Sequence, residues 1–283
     1  MLRVFVAIVF LAAPVSAAEP LRFLWKAGEK HAYTVSHSTT VAETASIEAG
    51  GKPQTTVYST KLTLAKRWEV KEVDAAGVGT LTLTITAMKQ EITKPVVGKG
   101  GKIAAETIVL DSATPEGAKE MAAFLNVPIV TAKVDNRGGV VEAKSTGGES
   151  AVNRLQAELP FRVLLPEKAA EVNAAWDRTF AVKLDPPLGT GESHAAKQTY
   201  KLRAIQNGHA VIGVSTAFEN PPAAAADLQP LLPWLWEGDV FVTADTGRYA
   251  GAKLKVAKTI SNHQGEGTKF EFASEYVEAV AGK

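Results

Sequence analysis

Beyond its first twenty or so residues, the chain alternates apolar and polar positions in short runs, the period of strands with one buried face. Leu21, Phe23 and Trp25 predict a first strand. After a turn at Gly28, Tyr33, Val35, His37 and Val41 predict a second. The small, polar stretch Glu43 to Thr56 reads as a loop. Leu62, Leu64, Trp68 and Val70, a turn at Asp74 to Gly77, and Leu81, Leu83, Ile85 and Ala87 then form the strongest hairpin in the sequence. Ile129 to Val134 and Val140 to Ala143 flank a turn at Asp135 to Gly139 and predict another. In the second half Trp176, Phe180, Val182 and Leu184 are followed by Tyr200, Leu202 and Ala204, an Asn207-Gly208 turn, and Ala210, Ile212, Val214 and Phe218. Val240 and Val242, then Leu254, Val256 and Ile260, then Phe270, Phe272, Tyr276 and Val280 complete an antiparallel meander.

Two stretches break this period. Thr114 as N-cap, Pro115 at the first helical position and Glu116 in the first turn open a short helix with Met121, Phe124 and Leu125 as its apolar stripe. A second helix starts near Ser150 and carries Val152, Leu155 and Leu159 at helical spacing until Pro160, so its apolar face should cover a sheet. The Lys- and Gly-rich segment Val97 to Lys102 reads as a loop. The predicted fold is therefore mainly β, an antiparallel meander or curved sheet, or sandwich-like halves, with two short helices. A faint echo links Trp68-Glu-Val-Lys-Glu-Val to Tyr200-Lys-Leu-Arg-Ala-Ile, each followed by a turn and an alternating strand. It is compatible with pseudo-repeated halves, 19–145 and 146–283, of one β-rich domain spanning 19–283.

The N-terminus departs from all of this. Arg3, an unbroken apolar run from Val4 to Ala13 and the small residues before Glu19 have the layout of a secretory signal peptide, assigned to 1–18, with cleavage after Ala17 or Ala18. The run is shorter than the roughly 20 residues needed to span a bilayer. Later, Leu228 to Trp236 is interrupted by Pro230 and Pro233, so no transmembrane segment is expected after cleavage. The mature chain is expected in the periplasm or outside the cell. With no cysteine in 283 residues, disulfides, thiolate nucleophiles, Cys-based metal sites and a lipid-bearing cysteine anchor are all excluded. Lys and Arg total 31 against 30 Asp and Glu, and loss of Arg3 with the leader leaves a neutral chain. That balance argues against nucleic acid as a partner.

The catalytic templates fail in turn. There is no Gly-x-Ser-x-Gly elbow, Ser-x-x-Lys, His-Glu-x-x-His or phosphate loop, and Gly98 to Lys102 and Gly189-Thr-Gly191 do not sit between a strand and a helix. No catalytic residue, metal ligand or cofactor is assigned. Of the five histidines, His31 and His37 share a strand face but are too far apart for one metal unless the strand bends. The one unusual cluster is Leu231, Leu232, Trp234, Leu235 and Trp236, in a Pro-bounded connection that also carries Leu228. These five are the candidate ligand-binding residues, as a loop gating an apolar cavity. The competing reading makes them a core cap.

Lys26-Ala-Gly-Glu-Lys-His-Ala-Tyr33, Leu165-Pro-Glu-Lys168 followed by Trp176, and Asp245-Thr-Gly-Arg248 resemble an uncharacterised family of exported bacterial β-rich proteins, a domain of unknown function. That family favours Gly where this chain has Asn173 or Ala174. The resemblance implies export and a β-rich fold and transfers no site. Three functions remain open. The first is a non-enzymatic carrier whose concave sheet binds an apolar small molecule or lipid, and the second an envelope structural module docking a protein through edge strands or the 228–236 loop. The third is a hydrolase with an acid pair that no motif reveals.

Overall fold

A computed structural model describes residues 19–45, 53–97, 103–186 and 189–282; the expected leader and the Gly98 to Lys102 loop lie outside them. Strands β1 (Lys30–Ala45), β2 (Gln54–Val73), β3 (Gly79–Val97) and β4 (Ile103–Asp111) precede helix α1 (Pro115–Glu120). The hairpin β5 (Pro128–Val134) and β6 (Val140–Ser145) follows, then helix α2 (Gly148–Glu158). Next come β7 (Ala175–Leu184), β8 (Glu192–Gln206), β9 (His209–Phe218), helix α3 (Ala225–Leu228) and a 3-10 helix (Gln229–Trp234). The meander β10 (Glu237–Thr243), β11 (Tyr249–Ser261) and β12 (Lys269–Val280) ends the chain.

All twelve strands join one open antiparallel sheet in the order β6-β5-β3-β2-β1-β12-β11-β10-β9-β8-β7, with β4 also paired to β3. The first and last strands meet at its centre, Tyr33 opposite Val280 and Val41 opposite Phe272. The strands consecutive across α2, β6 and β7, form its opposite ends. Since α2 packs against both, the sheet curls until its two ends reach one helix. A twisted sheet of this many strands has to curl or split to bury one face, and α2 fixes the curl.

Several elements differ from their sequence reading, each for a local reason. Residues 21–25 run outside the strand ladder; Phe23 gives a single backbone bond to Asn136 (2.7 Å), and the alternation only turns Phe23 and Trp25 toward the core. β4 follows the expected Val97 to Lys102 loop, over residues to which the pattern assigned no element. Helix α1 has the expected cap, with the Gly117 amide donating to Thr114 Oγ1 at 3.1 Å, but ends at Glu120, so Met121 and Phe124 lie in turns beyond it and Leu125 forms an isolated bridge to Ile85. A third short helix and the 3-10 helix occupy the Pro-bounded connection. The β3 alternation also breaks: opposite Ala65 and Lys66, β3 supplies Ala87 and Ile85, so Thr86 is an extra residue. This bulge turns Ala87 out and leaves Met88, Gln90 and Ile92 on the face that Leu81, Leu83 and Ile85 held below it.

Candidate functional site

The concave face divides into a filled half and an open half. In the filled half the chain crosses the sheet between α2 and β7, and Phe161, Val163 and Leu165 are fully buried. Phe161 meets the rings of Phe23, Trp25 and Tyr249 at 5.4 Å and Trp68 at 5.8 Å. A buried irregular segment must satisfy its backbone. Leu165 exchanges bonds with Arg137, from its amide to the Arg137 carbonyl and from Arg137 Nε to its own carbonyl, both 2.8 Å. Trp176 Nε1 donates to Leu164 O at 2.6 Å, and Asn173 and Ala174 bond Leu202 on the other flank. Gly138 makes the contact possible: its φ is +93°, and a Cβ would stand 2.7 Å from the Phe23 ring and 2.8 Å from Val163 O. Arg178 on β7 donates to the carbonyls of Gln156 (3.2 Å) and Ala157, placing a cation at the C-terminal end of α2.

Below the crossing, polar side chains replace apolar ones. Glu158 is held by Arg162 Nη1 at 2.6 Å and Arg154 Nη2 at 3.0 Å, and the Arg162 guanidinium lies 4.4 Å over the Tyr276 ring. Arg162 adopts a left-handed backbone, φ 58°, to reach there. Lys66 Nζ sits 2.8 Å from Glu278 Oε1, a charge contact off the hydrogen-bond axis. Glu278 Oε2 accepts from Tyr249 Oη at 3.0 Å and from Tyr276 Oη. Burial opposes the Lys66 ammonium, but Tyr276 and Glu278 outweigh it and hold the group above the ordinary lysine range. Burial also opposes the Glu158 carboxylate, and the two arginines overcome it and keep the carboxyl below the usual glutamate range. Burial, then Glu278, push the Tyr249 phenol well up, so it stays a donor. Beside this network His37 Nε2 lies 2.9 Å from Ser274 Oγ, with its ring 5.7 Å from that of Trp236. Burial first, then Arg162, lower the His37 pKa.

The open half comprises β4 with the far ends of β1, β2, β3, β11 and β12. Residues directly opposite in an antiparallel ladder share a face. Register therefore gathers Leu62 and Leu110, Ile92 and Ile108, Tyr58, Val41 and Phe272, and Phe270 and Ile260 on the concave side. Phe272 is buried, whereas Tyr58 is 48% and Ile108 46% exposed. The opposite face of β2 and β3 is mainly polar, with Thr55, Ser59, Lys61, Glu91 and Thr93. The trough has polar ends: His37, Thr39 and Ser274 at one, and at the other His263, whose Nε2 lies 3.0 Å from Glu43 Oε1.

The five residues singled out in the sequence do not line this trough together. Leu231 and Leu232 are fully buried in two different apolar clusters, and Leu235 packs against both. Trp236 is buried beside His37, with an unpartnered Nε1. Trp234 alone is both partly exposed and beside a cavity, about 160 Å3, with Arg154 5.8 Å over its ring. The enclosed space bordered by Arg162, Trp234 and Trp236 is about 10 Å3, room for one water at most.

For hydrolysis the geometry offers little. Ser274 Oγ donates to Ser38 O at 3.1 Å, which directs its proton away from His37, and among the described residues no carboxylate bonds the His37 ring. Glu158 is shifted downward, the wrong sense for a general acid. Among the described residues no three His, Asp or Glu side chains are grouped to hold a metal. None of the described helices is long and apolar enough to cross a membrane. No family model and no curated protein matches the chain. A solved structure of DynF from the dynemicin biosynthesis pathway of Micromonospora chersina aligns with 96% of this chain and 87% of its own at 10% identity and a TM-score of 0.19, values that carry no argument about function.

Proposed function

We propose that the chain is an exported, non-enzymatic binding protein that holds an apolar or amphiphilic small molecule in the open trough of its sheet. The observation behind this reading is the apolar register of Tyr58, Leu62, Ile92, Ile108 and Leu110 on the concave face, with Tyr58 and Ile108 left nearly half exposed. The filled half serves less well, because its own crossing segment occupies the concavity and leaves spaces of about 10 Å3 beneath it, with one cavity of about 160 Å3 between α2, β7 and Trp234. An exposed apolar surface bordered by polar groups is a usual mark of a binding site, and here Thr60 and Gln90 sit among the apolar positions of the same face. The reading keeps the sequence expectation of a concave-sheet binder but moves the site from the 228–236 connection to the open half of the sheet beyond His37, on which Trp236 packs. Titration of the mature chain with 1-anilinonaphthalene-8-sulfonate, followed by displacement with oleate, tests it. Saturable fluorescence that oleate displaces and Ile108→Lys abolishes is expected; equal binding by that variant would overturn the assignment.

A further inference from the structure

An open sheet has edges, and the described strands protect them unequally. Helix α2 contacts both end strands, β6 and β7. β6 carries Glu142 and Lys144 beside a bulge in its pairing with β5, and β7 carries Asp177, Arg178 and Lys183. Charges, bulges and a covering helix are the usual devices against strand addition. β4 has fewer of them: its only charges are Glu106 and Asp111, and its pairing with β3 has no bulge. It holds no lysine, arginine or proline, pairs with β3 over nine residues without a register shift, and exposes every residue from Ile103 to Val109. Among the described residues no strand lies on its outer side.

We infer that this edge pairs antiparallel with β4 of a second copy of the chain, about a two-fold axis at Thr107. The sequence is self-complementary there. Thr107 would face its own counterpart, Ala105 would face Val109 and Ala104 would face Leu110, pairings that sheets favour. Glu106 falls opposite Ile108 and Asp111 opposite Ile103, so no like charges oppose one another. A lysine-bearing edge such as β6 would not allow this. Pairing supplies partners for the unpaired outer N–H and C=O groups and brings the two copies of Ile108 to adjoining positions, so that the open troughs continue from one copy into the other. A closed two-fold contact also explains how an unguarded edge avoids open-ended strand addition.

The absence of cysteine makes the test direct. Residues opposite each other across an antiparallel pair lie within disulfide range. Thr107→Cys is expected to cross-link into a covalent dimer under mild oxidation, while Val141→Cys on β6 stays monomeric. In light scattering the unmodified chain should give twice the monomer mass, Thr107→Lys the monomer mass, and an equal mixture of Thr107→Lys with Thr107→Glu the dimer mass again. A monomeric wild type, a Thr107→Lys variant that stays dimeric, a mixture that stays monomeric, or equal cross-linking at 107 and 141 would each overturn the pairing. The pairing rests on edge chemistry and needs no ligand: a monomer that binds the fluorescent probe overturns it alone, and a dimer that does not bind overturns the binding reading alone.

Discussion

The filled and open halves of the concave face are built from the same long strands with the same alternation, yet they meet opposite fates. In β2, Trp68 and Val70 are buried under the crossing segment, while Tyr58, ten residues before Trp68 and of the same parity, is nearly half exposed. The difference lies in what the chain lays over the strands. Phe161, Val163 and Leu165 reach only half of the strand length, so half of the apolar face is completed from within and half is left to something else. An alternating pattern therefore marks a face to be covered and does not say by what.

The comparison breaks most severely at Phe161. Truncation to alanine removes a ring packed against four others and should cost about 4 kcal/mol, read as a lower denaturant midpoint with an unchanged slope. A loss below about 1 kcal/mol would mean that the crossing segment is not an integral part of the core. Next in size is the boundary between the halves. Replacing Glu278 by alanine leaves the Lys66 ammonium and the two tyrosine donors buried without their acceptor, a cost of about 3 kcal/mol. The double variant Lys66→Met, Glu278→Leu should recover most of it. If the double variant is as unstable as the single one, the pair matters for packing and not for charge.

Acid should act at the same boundary with a smaller effect. The folded chain holds His37 neutral, through burial and Arg162, so its pKa lies below the unfolded value of 6.5. As pH falls below 6.5, the unfolded chain takes up a proton that the folded chain refuses, so the stability present above that value declines on acidification. His31 is shifted in the same direction, mainly by burial. Glu158, also lowered, adds a second decline below its ordinary value of 4.5. Melting temperature should therefore fall between pH 7 and pH 5.5, and less in His37→Gln than in the parent chain. Identical slopes would show that His37 is solvated in the folded state.

The strands that pair and turn were legible because hairpins impose local rules: Asp74 to Gly77, Asn207-Gly208, and Thr114 with Pro115 fall where turn and cap chemistry puts them. β4 was missed because both of its faces are exposed, so Ile103-Ala-Ala and Ile108-Val-Leu show no alternation. The 21–25 segment misled for the converse reason, since alternation toward a core does not require a ladder. Lys66 and Glu278 did leave a signal: each occupies an apolar position in an alternating run, between Leu64 and Trp68 and between Tyr276 and Val280. Arg162 left none, being placed by an irregular crossing that joins the two ends of the sheet. The Trp234 and Trp236 cluster stood out by composition, which measures burial more readily than function.

The smallest expected change in stability belongs to the open half, and there it is most informative. Val57 and Tyr58 are neighbours on β2, each 48% exposed, and point to opposite faces. Either one changed to serine loses little buried surface and should alter stability by no more than about 0.5 kcal/mol. If apolar exposure alone attracts the probe, both substitutions weaken its binding alike. If the concave register is the site, Tyr58→Ser lowers affinity and Val57→Ser leaves it unchanged, because only the former removes area from the trough. A lost contact of about 1.4 kcal/mol corresponds to a tenfold weaker Kd, well within a fluorescence titration. Equal effects would reduce the open half to unspecific apolar surface, whereas a one-sided effect shows that register, which alone separates these two positions, selects the binding face.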